Sequence, residues 1–132
     1  MKKFSILLTF FLIFLFQKPL SEAMTIKGIS ADNFIKLISS TSQYVRIEGK
    51  ILNAEITDNS KVIFLNFGSN FNTSLSALIY NVDIPAFIDA GIDQPDKYFN
   101  DKKVIIEGII RISGGKPEVV INSPNQIKII PN

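Results

Sequence analysis

The amino-acid types present in this sequence limit the chemistry that it can perform. Its 132 residues include no histidine and no cysteine, which removes the usual general base near neutral pH, the thiolate nucleophile and nearly all zinc or copper sites. The chemistry that remains is binding, in which arginine and lysine pair with anions and aromatic rings stack on planar groups. The candidate residues are Arg46, Lys50, Lys61, Phe64, Phe71, Tyr80, Arg111 and Lys116.

The acidic residues form no pattern that indicates catalysis or metal binding. Four glutamates lie on or beside predicted strands and alternate with apolar residues, which is typical of an outward, solvated face. Five aspartates between positions 83 and 101 surround a predicted helix, where helix capping and solubility explain them better than calcium binding does. We therefore expect no catalytic residue, no metal and no cofactor. The glutamates are Glu48, Glu55, Glu107 and Glu118.

The candidate residues lie on or between segments whose apolar residues recur at every second position, the period of a β-strand. The predicted strands cover residues 44–51, 62–68, 75–81, 104–112 and 117–122. A short helix follows the third strand, with Asp83 as its N-cap and Gly91 at its end. Another short helix, with Ser30 as its N-cap, precedes the first strand.

The order of these elements is three strands, a helix and two strands, which predicts an OB-fold. This is an all-β fold with little helix, a five-stranded Greek-key barrel with a helix between strands 3 and 4. Gly49 and Gly108 fall inside strands 1 and 4, where a strand that curls commonly bends. An open α+β sheet is the alternative.

The N-terminal residues are typical of a secretory signal peptide. Lys2 and Lys3 precede an uncharged, almost wholly apolar segment at residues 4–16, and Ser21-Glu22-Ala23 offers a small-x-small cleavage site. The apolar segment is shorter than the roughly 20 residues of a membrane-spanning helix, so cleavage is favoured over a membrane anchor. The predicted organisation is a signal peptide at 1–23, a lead-in with a short helix at 24–42 and the OB-fold domain at 43–132. We expect export, to the periplasm in a Gram-negative source and otherwise to the medium, with no membrane span after cleavage.

Removal of the signal peptide also removes the basic character of the chain. Residues 1–23 contain three of the 14 basic residues and one of the 12 acidic ones, so the remainder has 11 of each and no net charge. Affinity for nucleic acid begins with phosphate neutralisation by clustered lysine and arginine. Global charge therefore does not favour such a ligand, although a local patch could still bind one.

Four short motifs resemble a known domain. Residues 64–68 read Phe-Leu-Asn-Phe-Gly, and Val104-x-x-x-Gly108, Gly115-x-Pro117-x-x-x-Ile121 and Pro124-x-Gln126-Ile127 follow in that order. Over residues 43 to 130 the chain resembles the small OB-like domain of exported bacterial proteins, which occurs alone or attached to thermonuclease-like nuclease domains. The resemblance implies a module sometimes labelled as nucleic-acid binding. The Asp-Gly-Asp run of the nuclease is absent, so no nuclease activity is implied.

Two binding functions follow from this predicted fold. OB-folds bind oligonucleotides or oligosaccharides on strands 2 and 3 and on the loops joining strands 1–2 and 4–5. The candidate rings and cations fall in these places or on the flanking strands, which favours a non-enzymatic module that binds single-stranded nucleic acid, or another oligoanion, weakly and in a salt-dependent way. The alternative is an envelope module that binds a peptide or protein in the same groove. Phe64 is either a core residue or a binding residue, because its strand neighbours are also apolar.

Overall fold

The computed structural model describes residues 28–59, 61–70 and 73–131. The predicted signal peptide and Phe71 lie outside these ranges. Within them the chain contains eight strands, which are β1 (Gly28–Ser30), β2 (Tyr44–Lys50), β3 (Asn53–Ile56), β4 (Val62–Asn66), β5 (Ser76–Tyr80), β6 (Lys103–Ser113), β7 (Lys116–Val120) and β8 (Ile127–Ile129). The α-helices of the same ranges are α1 (Phe34–Ser39), α2 (Ile84–Asp89) and α3 (Pro95–Phe99). Short 3-10 turns at Asn81–Asp83 and Pro124–Gln126 precede α2 and β8.

The strands form one mixed sheet. Its order is β1-β2-β6-β7-β5-β4-β3, and β8 pairs with β6 beside this path. Neighbouring strands are antiparallel except for two pairs, β1 with β2 and β5 with β7. The parallel pairing places Ser76 of β5 opposite Glu118 of β7. Strands β2 and β3 lie far apart in the order of the sheet, yet only Ile51 and Leu52 separate them in the chain.

Alternate residues of the strands build the core. The inward side chains of β4, β5 and β7 include Ile63, Leu65, Ala77, Ile79 and Val119, none of which is more than 1% exposed. Because successive strand residues point to opposite faces, the residues between them lie on the face opposite the core. Phe87 of α2 and Phe99 of α3 complete the core with an edge-to-face contact, their ring centroids 6.3 Å apart.

Two glycine features determine how β6 meets β7. Gly114 and Gly115 form a two-residue turn, and both have positive φ values, 57° and 80°, as type I′ hairpin turns require. Gly108 lies where β6 passes close to β7, because a Cβ atom at this position would lie 2.6 Å from Cγ1 of Val119. A larger residue would therefore collide with the core.

The structure differs from the expected five strands in three places. The predicted first strand, 44–51, ends at Lys50, and β3 forms separately beyond Ile51 and Leu52. Neither β1 nor the short strand β8 is among the five predicted strands. Five of the eight strands nevertheless overlap the five that the alternation predicts. The sheet-dominated part of the prediction is confirmed.

The helices also depart from expectation. Helix α1 begins after Asn33, whose side chain accepts a hydrogen bond from the backbone of Lys36, whereas the predicted N-cap, Ser30, lies in β1. Asp83 occupies the N-cap position of α2, but its side chain makes no capping hydrogen bond and instead accepts one from Asn122. Helix α3 lies in a segment predicted to be a polar loop.

Candidate functional site

Four of the eight candidate residues lie on one surface of the sheet. It consists of the side chains of β4, β5 and β7 that point away from the core, together with Arg111 of β6, and we call it the polar face. Arg111 follows the buried Ile110 and lies opposite Glu118 in the β6–β7 pair. The residues of the polar face are Val62, Phe64, Asn66, Ser76, Leu78, Tyr80, Arg111, Lys116, Glu118 and Val120.

Tyr80, Arg111 and Glu118 form a connected group at one end of the polar face. Nε and Nη2 of Arg111 lie 3.3 and 3.2 Å from Oε2 of Glu118, and Nη2 also donates to the Tyr80 hydroxyl at 2.8 Å. The hydrogen bond to Tyr80, together with the pairing to Glu118, raises the pKa of Arg111 against the opposing effect of burial. The Arg111 side chain is 46% exposed and the Glu118 side chain 7%, so the arginine is the accessible member of this ion pair.

Lys116, Ser76 and Asn66 form a second group at the other end. Nζ of Lys116 donates to Oγ of Ser76 at 2.9 Å, and this hydroxyl donates to Oδ1 of Asn66 at 2.8 Å. All three residues are buried. Desolvation lowers the pKa of Lys116, and the nearby carboxylate of Glu118 partly opposes that shift. Because the serine proton is directed to the amide and not to the amine, the pair is not arranged as a lysine base that activates a serine nucleophile.

Apolar side chains lie between the two polar groups of the polar face. Leu78 lies opposite Phe64 on β4 and opposite Val120 on β7. Tyr80 is two residues beyond Leu78. Phe64 and Tyr80 therefore occupy diagonal positions on neighbouring strands, where Cα atoms are typically about 7–8 Å apart. Both rings are half-buried, and the structure places Phe64 on the face opposite the core. The two rings therefore lie on the same face of neighbouring strands.

The loop between β3 and β4 contributes Lys61 to one edge of this surface. The backbone N–H of Asn81 donates to the carbonyl of Lys61 at 2.8 Å, which fixes Lys61 beside the end of β5 that carries Tyr80. Lys61 is exposed. Phe71, the remaining ring candidate, lies outside the described residues.

Arg46 and Lys50 are not part of the polar face. They lie on β2, which is on the side of β6 away from β7. Arg46 pairs with Glu107 at 3.0 Å and Lys50 with Asp101 at 3.1 Å. Lys50 lines a shallow groove of about 490 Å³, whose four charged residues are two acids and two lysines. This groove has no excess of positive charge that would favour an anion.

Sequence reasoning missed three polar residues of the polar face. Asn66, Ser76 and Glu118 were not candidates, and Glu118 was expected on a solvated face although it is only 6% exposed. Lys116, one of the candidate cations, is equally buried. The physical reason is the parallel β5–β7 pair, which brings β7 against Ser76. A signal for Glu118 was present, since it lies seven residues after Arg111 across a two-residue turn.

Within residues 28–59, 61–70 and 73–131, no group of three or more acidic side chains is arranged to hold a metal ion. In the same part of the chain, no helix has the length and apolar character needed to cross a membrane.

Comparison with solved structures identifies the fold. An aspartyl-tRNA synthetase from Entamoeba histolytica matches with a TM-score of 0.54 and 14% identity, over 86% of this chain and 23% of that protein. A chain from Leishmania major Friedlin, described as an aspartyl-tRNA synthetase, matches with a TM-score of 0.50 and 12% identity, over 80% and 21%. The matched regions are OB-fold domains. The fold of this chain is of the OB type.

These comparisons identify the fold of this chain and do not identify its function. The chain spans less than a quarter of either synthetase, and identities this low carry no information on substrate. No protein-family model matches the sequence, and no curated protein matches it. The association with thermonuclease-like proteins therefore stays a prediction.

Proposed function

We propose that this protein is an exported, non-enzymatic OB-fold module that binds single-stranded nucleic acid, or a related oligoanion, weakly on the polar face. One observation carries the proposal. Phe64 and Tyr80 lie on β4 and β5, the second and third barrel strands, which OB-folds use for oligonucleotides, and the cations Arg111 and Lys116 lie on the same face of the neighbouring β6 and β7. Lys61 flanks the same surface on the loop before β4.

The proposal includes the barrel that the sequence predicts. In it, β2 and β3 act as one strand bent at Ile51 and Leu52, and this strand joins the two ends of the path β2-β6-β7-β5-β4-β3. The backbone N–H of Ile51 donates to Lys102 and that of Leu52 donates to Asn66, so the bend contacts both sides. Such closure would leave the polar face on the outside of a five-stranded barrel.

The chemistry of binding follows from the side chains. A base stacked on an aromatic ring contributes about 1–3 kcal/mol, and Phe64 and Tyr80 are the half-buried rings of the polar face. Arg111 is the accessible cation beside them. Stacking and one arginine contact together favour weak, non-specific binding, for which Kd is typically about 10⁻⁴–10⁻⁶ M.

Fluorescence anisotropy with a labelled single-stranded oligonucleotide of about 10 nucleotides tests this function. We expect saturable binding at low salt, weakened at least about fivefold by Tyr80→Ala and also weakened by Arg111→Ala. The matched controls, Tyr44→Ala and Arg46→Ala, remove a tyrosine and an arginine from β2 and should leave the affinity unchanged. Equal losses from both pairs of variants, or no binding at low salt, would overturn the proposal.

A protein ligand in the cell envelope is the second candidate. Tyr44 and Ile109 lie opposite each other on β2 and β6 and are 51% and 58% exposed, so they form an apolar pair on the surface. If this candidate is correct, chemical crosslinking should capture a protein partner. The Ile109→Asp variant should lose that crosslink, and the Arg111→Ala variant should keep it. The reverse dependence would contradict it.

Export rests on the N-terminal sequence and has its own test. Expression of the full chain in a Gram-negative host should give a periplasmic protein. Its intact mass should correspond to a chain that begins at Met24. A chain that keeps residues 1–23 in the membrane fraction would support the anchor, and a full-length chain in the cytoplasm would contradict export.

A further inference from the structure

Two other residues of the polar face restrain the side chain of Arg111. Its Nε and Nη2 donate to Oε2 of Glu118 at 3.3 and 3.2 Å, and Nη2 also donates to the Tyr80 hydroxyl at 2.8 Å. Three hydrogen bonds therefore hold the guanidinium of a side chain that is 46% exposed. Nη1 is the nitrogen of this guanidinium that makes no hydrogen bond to any of the described residues.

The carboxylate of Glu118 is a fixed partner for this arginine. Glu118 lies on β7, which pairs with β6 on one side and with β5 on the other, and Arg111 lies directly opposite it on β6. The Glu118 side chain is only 7% exposed, so the surrounding strands restrict its rotamers. An arginine that is exposed as Arg111 is would sample many rotamers if it had no such partner.

We infer that Glu118 is a positioning residue, which orders the Arg111 side chain so that Nη1 can meet a phosphate group of a bound single strand. The inference rests on the proposed function. When binding must immobilise a side chain with many rotamers, affinity falls by about two- to tenfold. A guanidinium that Glu118 and the Tyr80 hydroxyl already hold avoids most of this loss.

A purely electrostatic role for Glu118 has the opposite sign. A carboxylate beside the guanidinium repels an approaching phosphate, so the loss of its charge should tighten binding. Glutamine and methionine at this position separate charge from positioning. Both remove the charge and are close to glutamate in length, but only glutamine keeps a carbonyl oxygen that accepts hydrogen bonds from Arg111.

Oligonucleotide binding by Glu118→Gln and Glu118→Met, measured by fluorescence anisotropy at low salt, tests the inference. We expect Glu118→Met to bind about two- to tenfold more weakly than Glu118→Gln. If wild type binds and the two variants have equal affinities, or Glu118→Met binds more tightly, the positioning role is overturned and the proposed function stands. If wild type does not bind, the proposed function is refuted and the inference with it. Circular dichroism establishes that each variant is folded.

The Nε–H signal of Arg111 in NMR spectra gives a readout that needs no ligand. A hydrogen bond protects this proton from exchange with water, so the signal should be present in wild type and in Glu118→Gln. It should be lost to exchange in Glu118→Met. A signal that persists unchanged in Glu118→Met would contradict the inference, because Arg111 would then be ordered without Glu118.

Arg46 and Glu107 provide the matched control. They form the same kind of ion pair across β2 and β6, with Nη2 of Arg46 3.0 Å from Oε1 of Glu107, but β2 is not part of the polar face. Glu107→Gln and Glu107→Met should therefore bind the oligonucleotide equally well. A difference between them as large as that between the Glu118 variants would overturn the inference.

Wild type and Tyr80→Phe keep the test decisive if a Glu118 variant does not fold. Tyr80→Phe keeps the ring and removes the hydroxyl that accepts from Nη2, so it should weaken binding by about twofold. Tyr44→Phe, which removes the hydroxyl beside Glu107, should not. Wild-type affinity in Tyr80→Phe, or an Arg111 Nε–H signal that is already lost to exchange in wild type, would contradict the inference.

Discussion

Replacement of Gly108 by alanine tests the close approach of β6 to β7. The added methyl group would lie 2.6 Å from Cγ1 of Val119 and 3.4 Å from Nε2 of Gln126, whereas carbon atoms normally pack about 3.5–4.0 Å apart. Val119 is fully buried, so it cannot move without disturbing the core. Overpacking of this kind costs about 1–3 kcal/mol. For a domain of this size, each lost kcal/mol lowers Tm by about 4–8 °C.

Thermal and urea denaturation followed by circular dichroism measure this effect. Gly28→Ala is the matched control, because a Cβ at Gly28 has no atom within 4 Å. It should be neutral or stabilising by up to about 1 kcal/mol. Val119→Ala removes the obstructing methyl groups, so the double variant should be less destabilised than the sum of the two single variants, by about 0.5–3 kcal/mol. A Gly108→Ala protein as stable as wild type, or additive effects in the double variant, would refute the reasoning.

Three other perturbations have defined outcomes. Phe99→Ala should lower the free energy of unfolding by about 3–5 kcal/mol, because the ring is buried against Phe87, while Tyr98→Ala, at a half-exposed neighbour, should cost less than half as much. Asn33→Ala removes the N-cap of α1 and should cost about 1 kcal/mol in urea denaturation, whereas Ser30→Ala should not; equal losses would contradict the observed cap. Burial lowers the pKa of Lys116 below 10.5, so the folded state binds this proton less tightly than the unfolded chain does. Its contribution to stability is therefore lost as pH falls through the lowered pKa and is fully present above 10.5. Relative to Lys116→Met, the free energy of unfolding of wild type should rise with pH across that window, and a constant difference would contradict the shift.

The strands were predictable where the alternation of apolar residues is long. The segments that became β2, β4, β5, β6 and β7 each bury every second residue in the core, and that period is visible in the sequence alone. The turn at Gly114 and Gly115 was predictable for a similar local reason, since adjacent glycines favour a two-residue hairpin. Local signals therefore predicted most of the sheet.

The elements that sequence reasoning missed are short and depend on distant partners. Strand β1 has three residues and exists because it pairs in parallel with β2, which no local pattern reveals. Helix α3 has five residues and a polar composition, and only the spacing of its buried residues, Pro95 and Phe99, indicates a helix. Strand β3 follows β2 after two residues, so the bend at Ile51 and Leu52 was read as the end of one strand.

In the candidate site, too, local sequence predicted some features, and others depend on residues that are distant in the chain. Residue types indicated the rings and the cations, but their partners depend on the register of β5 against β7. Ser76 meets Lys116 and Glu118 only because these strands pair in parallel. The same pairing buries Lys116. The charge balance of the polar face could not be predicted without that register.

Mapping of backbone and arginine side-chain NMR shifts during titration with a single-stranded oligonucleotide tests whether the polar face is the ligand site. We expect the largest shifts on Val62–Asn66, Ser76–Tyr80 and Lys116–Val120 and on the Arg111 side chain, with small shifts along Tyr44–Lys50. Shifts confined to β2 and its groove, or no shifts at millimolar oligonucleotide in low salt, would contradict the assignment of the polar face as the ligand site.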